Sequence, residues 1–341
     1  MSRTPGRWAR SLFQTGSQPV DRRAFLTRLA LLAGTAAAVP LVRAGSTAPG
    51  GDHRLEAGRP ALGTWLRVVV RHPEPAVARG AIEDAFAAVR TVDAQMSVHR
   101  ADSQLSRVNA AAGRAAAAVD PALIDVVAMA CEASARSGGV YDPTVLPLMK
   151  LYGFYGANRV APPRAREVDA VLARMGAREV ALDRAAHALA LRREGAGLDL
   201  GSIGKGWAVD RAVDALRARG VRSGLVDLGG NVYGLGSPDD DAPGWSVGVF
   251  HPVTGALAKV FVLHDAAVAT SGNSEQTRVL GTLRVGHLFD AKRGVPADGH
   301  VSSSVVARTG VESDVCSTVS FLLGPDRFRG WPGVLDSCFI G

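Results

Sequence analysis

Asp314 and Thr318 stand four residues apart at the head of an apolar run, 319–323, which stops at Gly324-Pro325. On a helix that spacing puts a carboxylate and a hydroxyl on one face. Both are hard oxygen donors, suited to magnesium or calcium rather than to a soft metal. The same pair also suits a purely structural role, with Asp314 capping the helix and Thr318 bonding back to a carbonyl. Upstream, His287-Leu288-Phe289-Asp290 ends a short extended segment. A histidine there can take a proton from a nucleophile at neutral pH, with Asp290 nearby to orient it, or can simply be a surface histidine. Thr270-Ser271-Gly272-Asn273 reads as a strand followed by a polar turn, which offers hydroxyls and N–H groups to a ligand or only closes the turn.

The longest stretch of this kind is 198–230. Asp199 sits between two leucines, Gly201-Ser202 makes a turn, and Ile203-Gly204-Lys205-Gly206 opens a segment whose apolar residues Val209, Val213 and Leu216 recur at helical spacing. Strand, glycine turn and helix in that order leave amide groups free at the positive end of a helix dipole, where a phosphate-bearing ligand fits. Close packing of the helix on the strand is the alternative reading of the same glycines.

These residues need a scaffold. Apolar and β-branched residues over 64–70 predict a strand, and 75–95 predicts a helix through Val77, Ile82, Phe86 and Val89. A polar segment, 96–110, follows. Residues 121–136 predict a second helix, stopped by Gly138-Gly139; Val140-Tyr141-Asp142-Pro143 must then be extended or turned. The polar, proline-rich stretch 157–166 predicts a surface loop or hinge. Strands are expected at 178–182, 188–193, 223–235, 245–250, 259–263, 267–270 and 302–308. With no fixed repeat, the pattern predicts an α+β fold, a single compact unit divisible into two lobes with the ligand cleft between them.

The 341 residues carry a net charge of +7, but residues 1–44 hold seven arginines against one acid. The remainder is nearly neutral, so no nucleic-acid face is expected. Within the leader, Arg22-Arg23-Ala24-Phe25-Leu26 precedes an uncharged run at 29–42 and then Arg43-Ala44, which resembles a twin-arginine export signal cleaved near Ala44. The division expected is therefore 1–44 as signal and 45–341 as the working domain, delivered to the periplasm by the twin-arginine machinery. Cys131, Cys316 and Cys338 are odd in number and far apart, which fits neither a disulfide framework nor a metal cluster.

Eight pieces in order resemble the ApbE-like flavin transferases: ALGT at 61–64, MSVHRADSQLSRVN at 96–109, GGVYDPTVLPL at 138–148, LDLGSIGKGWAVD at 198–210, LVDLGGN at 225–231, ATSGN at 269–273, HLFDAKRG at 287–294 and SDVCST at 313–318. The resemblance covers nearly all of the chain after the leader and implies a T-fold-related architecture. It implies transfer of FMN from FAD to a threonine or serine hydroxyl of an acceptor redox protein, with release of AMP. Asp314, Thr318 and the Gly204 carbonyl would hold Mg2+ against the FAD pyrophosphate. His287 would be the base, and Lys205, one of only four lysines, would add a cation at the same bridge. Leu62, His99, Tyr141, Asp142, Pro143, Asp199, Thr270, Ser271 and Gly272 complete the implied cofactor-binding set. The chain departs from the family pattern at Leu62, usually methionine, and at His99, often tyrosine. It departs again at Ala291 in the turn after His287, and at Asn273-Ser274-Glu275-Gln276, where an aromatic and an arginine are usual. Two other functions use nearly the same residues: hydrolysis of FAD to FMN and AMP, and periplasmic FAD binding without chemistry.

Overall fold

The computed structural model describes residues 43–44, 53–156, 158–273 and 276–341. The expected signal peptide, apart from Arg43-Ala44, lies outside these residues, as do Ser274 and Glu275. Along the chain run β1 (Arg43–Ala44), β2 (His53–Ala61), β3 (Thr64–His72), α1 (Pro75–Met96), α2 (Gln104–Ala110), β4 (Ala117–Ala118), α3 (Pro121–Arg136), α4 (Leu146–Leu151) and α5 (Ala165–Leu172). Next come β5 (Val180–Asp183), β6 (Ala188–Leu191), α6 (Gly204–Ala218), β7 (Ser223–Leu228), β8 (Asn231–Leu235), β9 (Trp245–Phe250), β10 (Leu257–Leu263) and β11 (Ala266–Gly272). The chain closes with β12 (Thr277–Leu280), β13 (Leu283–Gly286), β14 (Phe289–Asp290), β15 (Val295–Pro296), β16 (Ser302–Ala307), α7 (Gly310–Phe328) and β17 (Val334–Ile340).

Val68-Val69-Val70 is apolar at every position because the sheet it belongs to is covered on both faces. That sheet has eight antiparallel strands in the order β1-β2-β3-β7-β8-β11-β16-β17. One face buries Val68, Val70, Val226, Tyr233, Ala267 and Val305 under α1, α6 and α7. The other buries Val69, Leu225, Val232, Val268 and Val306 under the β9–β10 ribbon, through Trp245, Val249, Phe261 and Leu263. Burying each such side chain stabilises the fold by about 1.5–3 kcal/mol.

The register brings several motifs to one end of this sheet. Leu66 pairs with Leu228 and Leu228 with Asn231, so the β2–β3 turn at Leu62-Gly63 and the β7–β8 turn at Gly229-Gly230 lie side by side. Val268 pairs with Val232 and Gly272 with Ser302, which carries the end of β11 past the same edge. Both residues of the β2–β3 turn have positive φ, +48° at Leu62 and +73° at Gly63, the geometry of a two-residue turn matched to strand twist.

The described residues form one compact unit, in keeping with the sequence expectation. A small apolar cluster of Leu148, Met149, Tyr152, Met175, Leu280, Val285 and Phe289 ties the 146–175 region to the β12–β13 hairpin. Two differences from the sequence expectation have local causes. The polar segment after α1 contains α2, whose cap is Ser103 accepting from the Ser106 amide at 3.0 Å. The proline-rich loop gives way at Ala165 to α5, started by Glu167 accepting from the Arg164 amide at 2.7 Å. Among the described residues no helix is long and apolar enough to cross a membrane.

Candidate functional site

Helices α6 and α7 cross with their backbones in contact. A Cβ on Gly206 would collide with the Gly310 carbonyl and come within 2.7 Å of the Asp314 Cβ, so glycine is required for the approach. The crossing brings Asp314, buried at 3 % exposure, to the start of α6, where Oδ2 accepts from the Gly206 amide at 2.8 Å. A carboxylate there is favoured by the helix dipole. Among the described residues Oδ1 accepts no hydrogen bond; its neighbour is the Lys205 ammonium at 3.9 Å, which itself donates to the Gly201 carbonyl at 2.9 Å. One turn further along α7, the Thr318 hydroxyl lies 3.0 Å from Ser271 Oγ, which also meets Ser317 Oγ at 2.8 Å. One oxygen of Asp314 thus caps a helix, though α6 rather than its own, and the other makes no hydrogen bond among the described residues.

This donor set fits a hard cation. Asp314 Oδ1 is a buried carboxylate oxygen without a hydrogen bond, Thr318 adds a hydroxyl, and Gly204 starts the facing helix. Among the described residues no group of three or more His, Cys, Asp and Glu could hold a metal. Magnesium, which takes one or two carboxylates and completes its shell with phosphate oxygens and water, suits what is present.

The entry to α6 is built on Asp199. Its Oδ1 accepts from the Gly201 amide and its Oδ2 from Tyr155 Oη, both at 2.7 Å, while its own amide donates to the Pro143 carbonyl at 2.8 Å. Tyr155 in turn lies against His99, with ring centroids 5.3 Å apart. Ser202 donates to Tyr141 Oη at 3.1 Å, and burial, aided by Asp314 and Asp142, holds the Tyr141 phenol protonated well above its ordinary range. His99, Tyr141, Pro143 and Asp199 are therefore linked directly or through Tyr155 and Ser202.

Asp142 stands apart from them. Its Oδ1 accepts from the Thr144 amide at 2.8 Å and hydroxyl at 2.6 Å; its Oδ2 accepts from the Ala177 amide at 3.1 Å and the Ser134 hydroxyl at 3.3 Å. With both oxygens committed to the protein, this side chain staples the 141–144 turn rather than facing a ligand. Asp142→Ala is expected to lower stability by about 2–4 kcal/mol, because it strands partly buried donors. Chemical denaturation measures this; a loss below about 0.5 kcal/mol, the range of ordinary surface changes, would remove the staple.

Adjacent residues of β11 are also separated. Ser271 faces α7, whereas Thr270 points to the opposite face of the sheet and meets Ser304 Oγ at 2.8 Å. Thr270 is thus not brought to Asp314 and Thr318. Gly272 leaves room for its partner strand: a Cβ there would sit 2.8 Å from the Val301 carbonyl. Leu62 is partly buried against the helix-side core at the sheet end already described.

His287 lies between β13 and β14. Its Nδ1 is buried without a hydrogen-bond partner among the described residues. Burial, and then the charge of Lys205, push its pKa below the usual imidazole value, against a backbone hydrogen bond at Gln276 and the Asp199 charge. Lys205 therefore connects the two halves of the site, close to Asp314 and felt by His287. Asp290 does not orient the ring as expected: its Oδ1 accepts from the Lys292 and Arg293 amides at 3.1 and 3.0 Å and closes its own turn. Asn273 supports the His287 segment, accepting from the Leu288 amide at 3.3 Å and donating to the Ala297 carbonyl at 2.7 Å. At Ala291, buried among aromatic residues, the amide donates to the Val140 carbonyl at 2.9 Å and so ties this turn to the Tyr141 loop.

Tyr155, Ser202 and Ser317 were not singled out from sequence. An aromatic pair before a glycine, Phe154-Tyr155-Gly156, was the available signal for the first; nothing in the spacing marks the other two.

Comparison with known proteins agrees with this geometry. The model of the ApbE family matches residues 62–333. A protein named FAD:protein FMN transferase from Treponema pallidum is 34 % identical over 299 residues, covering 82 % of each chain. One of the same name from Klebsiella pneumoniae is 31 % identical over 247 residues, covering 71 % of this chain and 75 % of its own. Among solved structures, the ApbE protein of Thermotoga maritima superposes with a TM-score of 0.75 at 26 % identity, covering 84 % of this chain and 94 % of its own. The apo flavinyl transferase ApbE of Pseudomonas stutzeri gives 0.74 at 26 % identity, covering 86 % and 92 %.

Proposed function

The chain belongs to the ApbE family, and we propose that it transfers FMN from FAD to a threonine or serine hydroxyl of an acceptor protein, with AMP as the leaving group. The observation that carries this reading is that Lys205 lies near both a carboxylate oxygen without a hydrogen bond, Asp314 Oδ1, and His287, whose pKa its charge lowers and whose Nδ1 has no hydrogen-bond partner among the described residues. Binding alone needs no base. In the proposed step His287 takes the proton of the acceptor hydroxyl, the freed oxygen forms a bond to the FMN phosphorus, and the P–O–P bond to AMP breaks. Lys205, whose Nζ lies 3.9 Å from Asp314 Oδ1, offsets charge on the phosphates. Asp314 Oδ1, Thr318 Oγ1 and the Gly204 carbonyl would hold magnesium, which supplies neutralisation of phosphate charge and stabilisation of the charge growing on the leaving oxygen. The Tyr141 and Tyr155 hydroxyls, kept protonated by burial, act as donors and acceptors rather than as bases.

The twin-arginine leader supports export, which places the acceptor among periplasmic or membrane-bound redox proteins. The test is intact-mass spectrometry of a candidate acceptor domain incubated with the mature chain, FAD and magnesium, with AMP assayed in the same tube. A gain of one FMN phosphoester per acceptor as AMP appears is expected. AMP with free FMN and an unmodified acceptor, across a panel of acceptor domains, would replace transfer by hydrolysis.

A further inference from the structure

Asp210 takes no part in the chemistry above, yet it mirrors Asp314. Helix α6 reads Gly206-Trp-Ala-Val-Asp210 and α7 reads Gly310-Val-Glu-Ser-Asp314, each a glycine with an aspartate four residues on. The aspartate of α7 accepts from the glycine amide of α6 at 2.8 Å, and the aspartate of α6 accepts from the glycine amide of α7 at 2.6 Å. Asp210 Oδ2 also accepts from the Val311 amide at 2.9 Å. The first turn of α7 is thus held twice. Asp210 takes the Gly310 and Val311 amides from across the crossing, and Thr309 Oγ1 takes the Glu312 amide at 3.2 Å from its own helix.

We infer that Asp210 is a positioning residue for the metal pair, fixing the first turn of α7 against α6 and so setting where Asp314 Oδ1 points. This rests on the magnesium reading of Asp314 and Thr318. The glycines make the coupling stiff: a Cβ on Gly310 would lie 2.5 Å from the Gly206 carbonyl oxygen and 3.0 Å from Asp210 Oδ1. No side chain intervenes to absorb a shift of the α7 start, and Asp314 lies one helical turn beyond it. Asp210 is 9 % exposed, so water does not readily replace its two acceptors if they are lost.

The test compares Asp210→Asn with Thr309→Ala. Both remove capping from the same helix end, and both are expected to lower the melting temperature. Only the first loosens the hold across the crossing, since an asparagine keeps one acceptor oxygen and turns an NH2 toward the other amide. Mn2+ titrated into the chain with and without FAD, in the absence of acceptor, and followed by EPR reads the metal site without flavin transfer. Asp210→Asn is expected to weaken Mn2+ binding about tenfold, the scale of groups that orient a metal ligand, with Thr309→Ala within about twofold of wild type. Should the asparagine variant not fold, Asp210→Glu keeps the charge and both acceptors but displaces α7 by a methylene, and is expected to weaken binding at least about threefold. Unchanged Mn2+ affinity in the Asp210 variant overturns the inference, as does an equal loss in Thr309→Ala, which would make the effect one of helix stability. A wild-type chain that binds no Mn2+ even with FAD present removes the metal assignment itself, and the inference with it.

Discussion

Asp314→Asn is expected to lower flavin transfer about a thousandfold at fixed magnesium while the protein stays folded. The substitution is chosen to separate the two oxygens. An asparagine carbonyl can still accept from the Gly206 amide, so the helix crossing keeps the hydrogen bond now made at 2.8 Å. What it cannot supply is the negative charge of Oδ1, the oxygen left open beside Lys205. Asp314→Ala would confound the result, since it strands a buried amide at a cost of about 1–3 kcal/mol. Raising the magnesium concentration should recover part of the rate in the asparagine variant, because a weakened site refills by mass action. Transfer rates over a magnesium series, with circular dichroism to confirm folding, decide the matter. A wild-type rate and wild-type magnesium dependence in Asp314→Asn would remove the metal role.

That separation was invisible in the sequence, and the reason is physical. Four-residue spacing shows that Asp314 and Thr318 share a helix face, but not that the helix they meet is α6. The glycine turn at 201–206 read equally as an anion cradle and as close packing. The structure shows it as packing first, since the Gly206 amide, one of the groups expected to meet a phosphate, is taken by Asp314. Long elements with strong periodicity, α1 and α3, were legible to within a residue, because burial of one face dictates their pattern. The helix break at Gly324 was legible too, and its φ of +73° explains why glycine stands there. Short elements such as α2 and α4 were not, since caps and contacts with distant segments hold them rather than their own periodicity.

Thr270 and Asp142 show the limit from another side. A motif names consecutive residues, whereas a strand sends consecutive side chains to opposite faces. Hence only Ser271 of the Thr270-Ser271 pair reaches Thr318. In the Tyr141-Asp142-Pro143 turn, the tyrosine and proline serve the entry to α6, while the aspartate between them is consumed by the turn itself. Motif membership names a segment; which of its members turns toward α6 and α7 depends on backbone direction.

His287→Ala is expected to reduce transfer by about two to four powers of ten with FAD affinity nearly unchanged, the range for loss of a general base. The pH dependence of the unsubstituted protein carries the sharper test. A base must be neutral to act, and burial, followed by the Lys205 charge, holds the His287 pKa below its ordinary 6.5. The acid limb of kcat/KM, which reports the free enzyme, should therefore fall with a midpoint below 6.5. Stability shifts in the same sense: between the folded and the unfolded pKa the unfolded chain binds the extra proton, so acidification through 6.5 destabilises the fold. Lys205→Met removes the second cause but not the first, so its midpoint should rise. Lys205→Met also weakens phosphate binding, which lowers the plateau of kcat/KM but does not move its midpoint. An acid limb centred above 6.5, or a midpoint unmoved by Lys205→Met, would mean that some other group takes the acceptor proton.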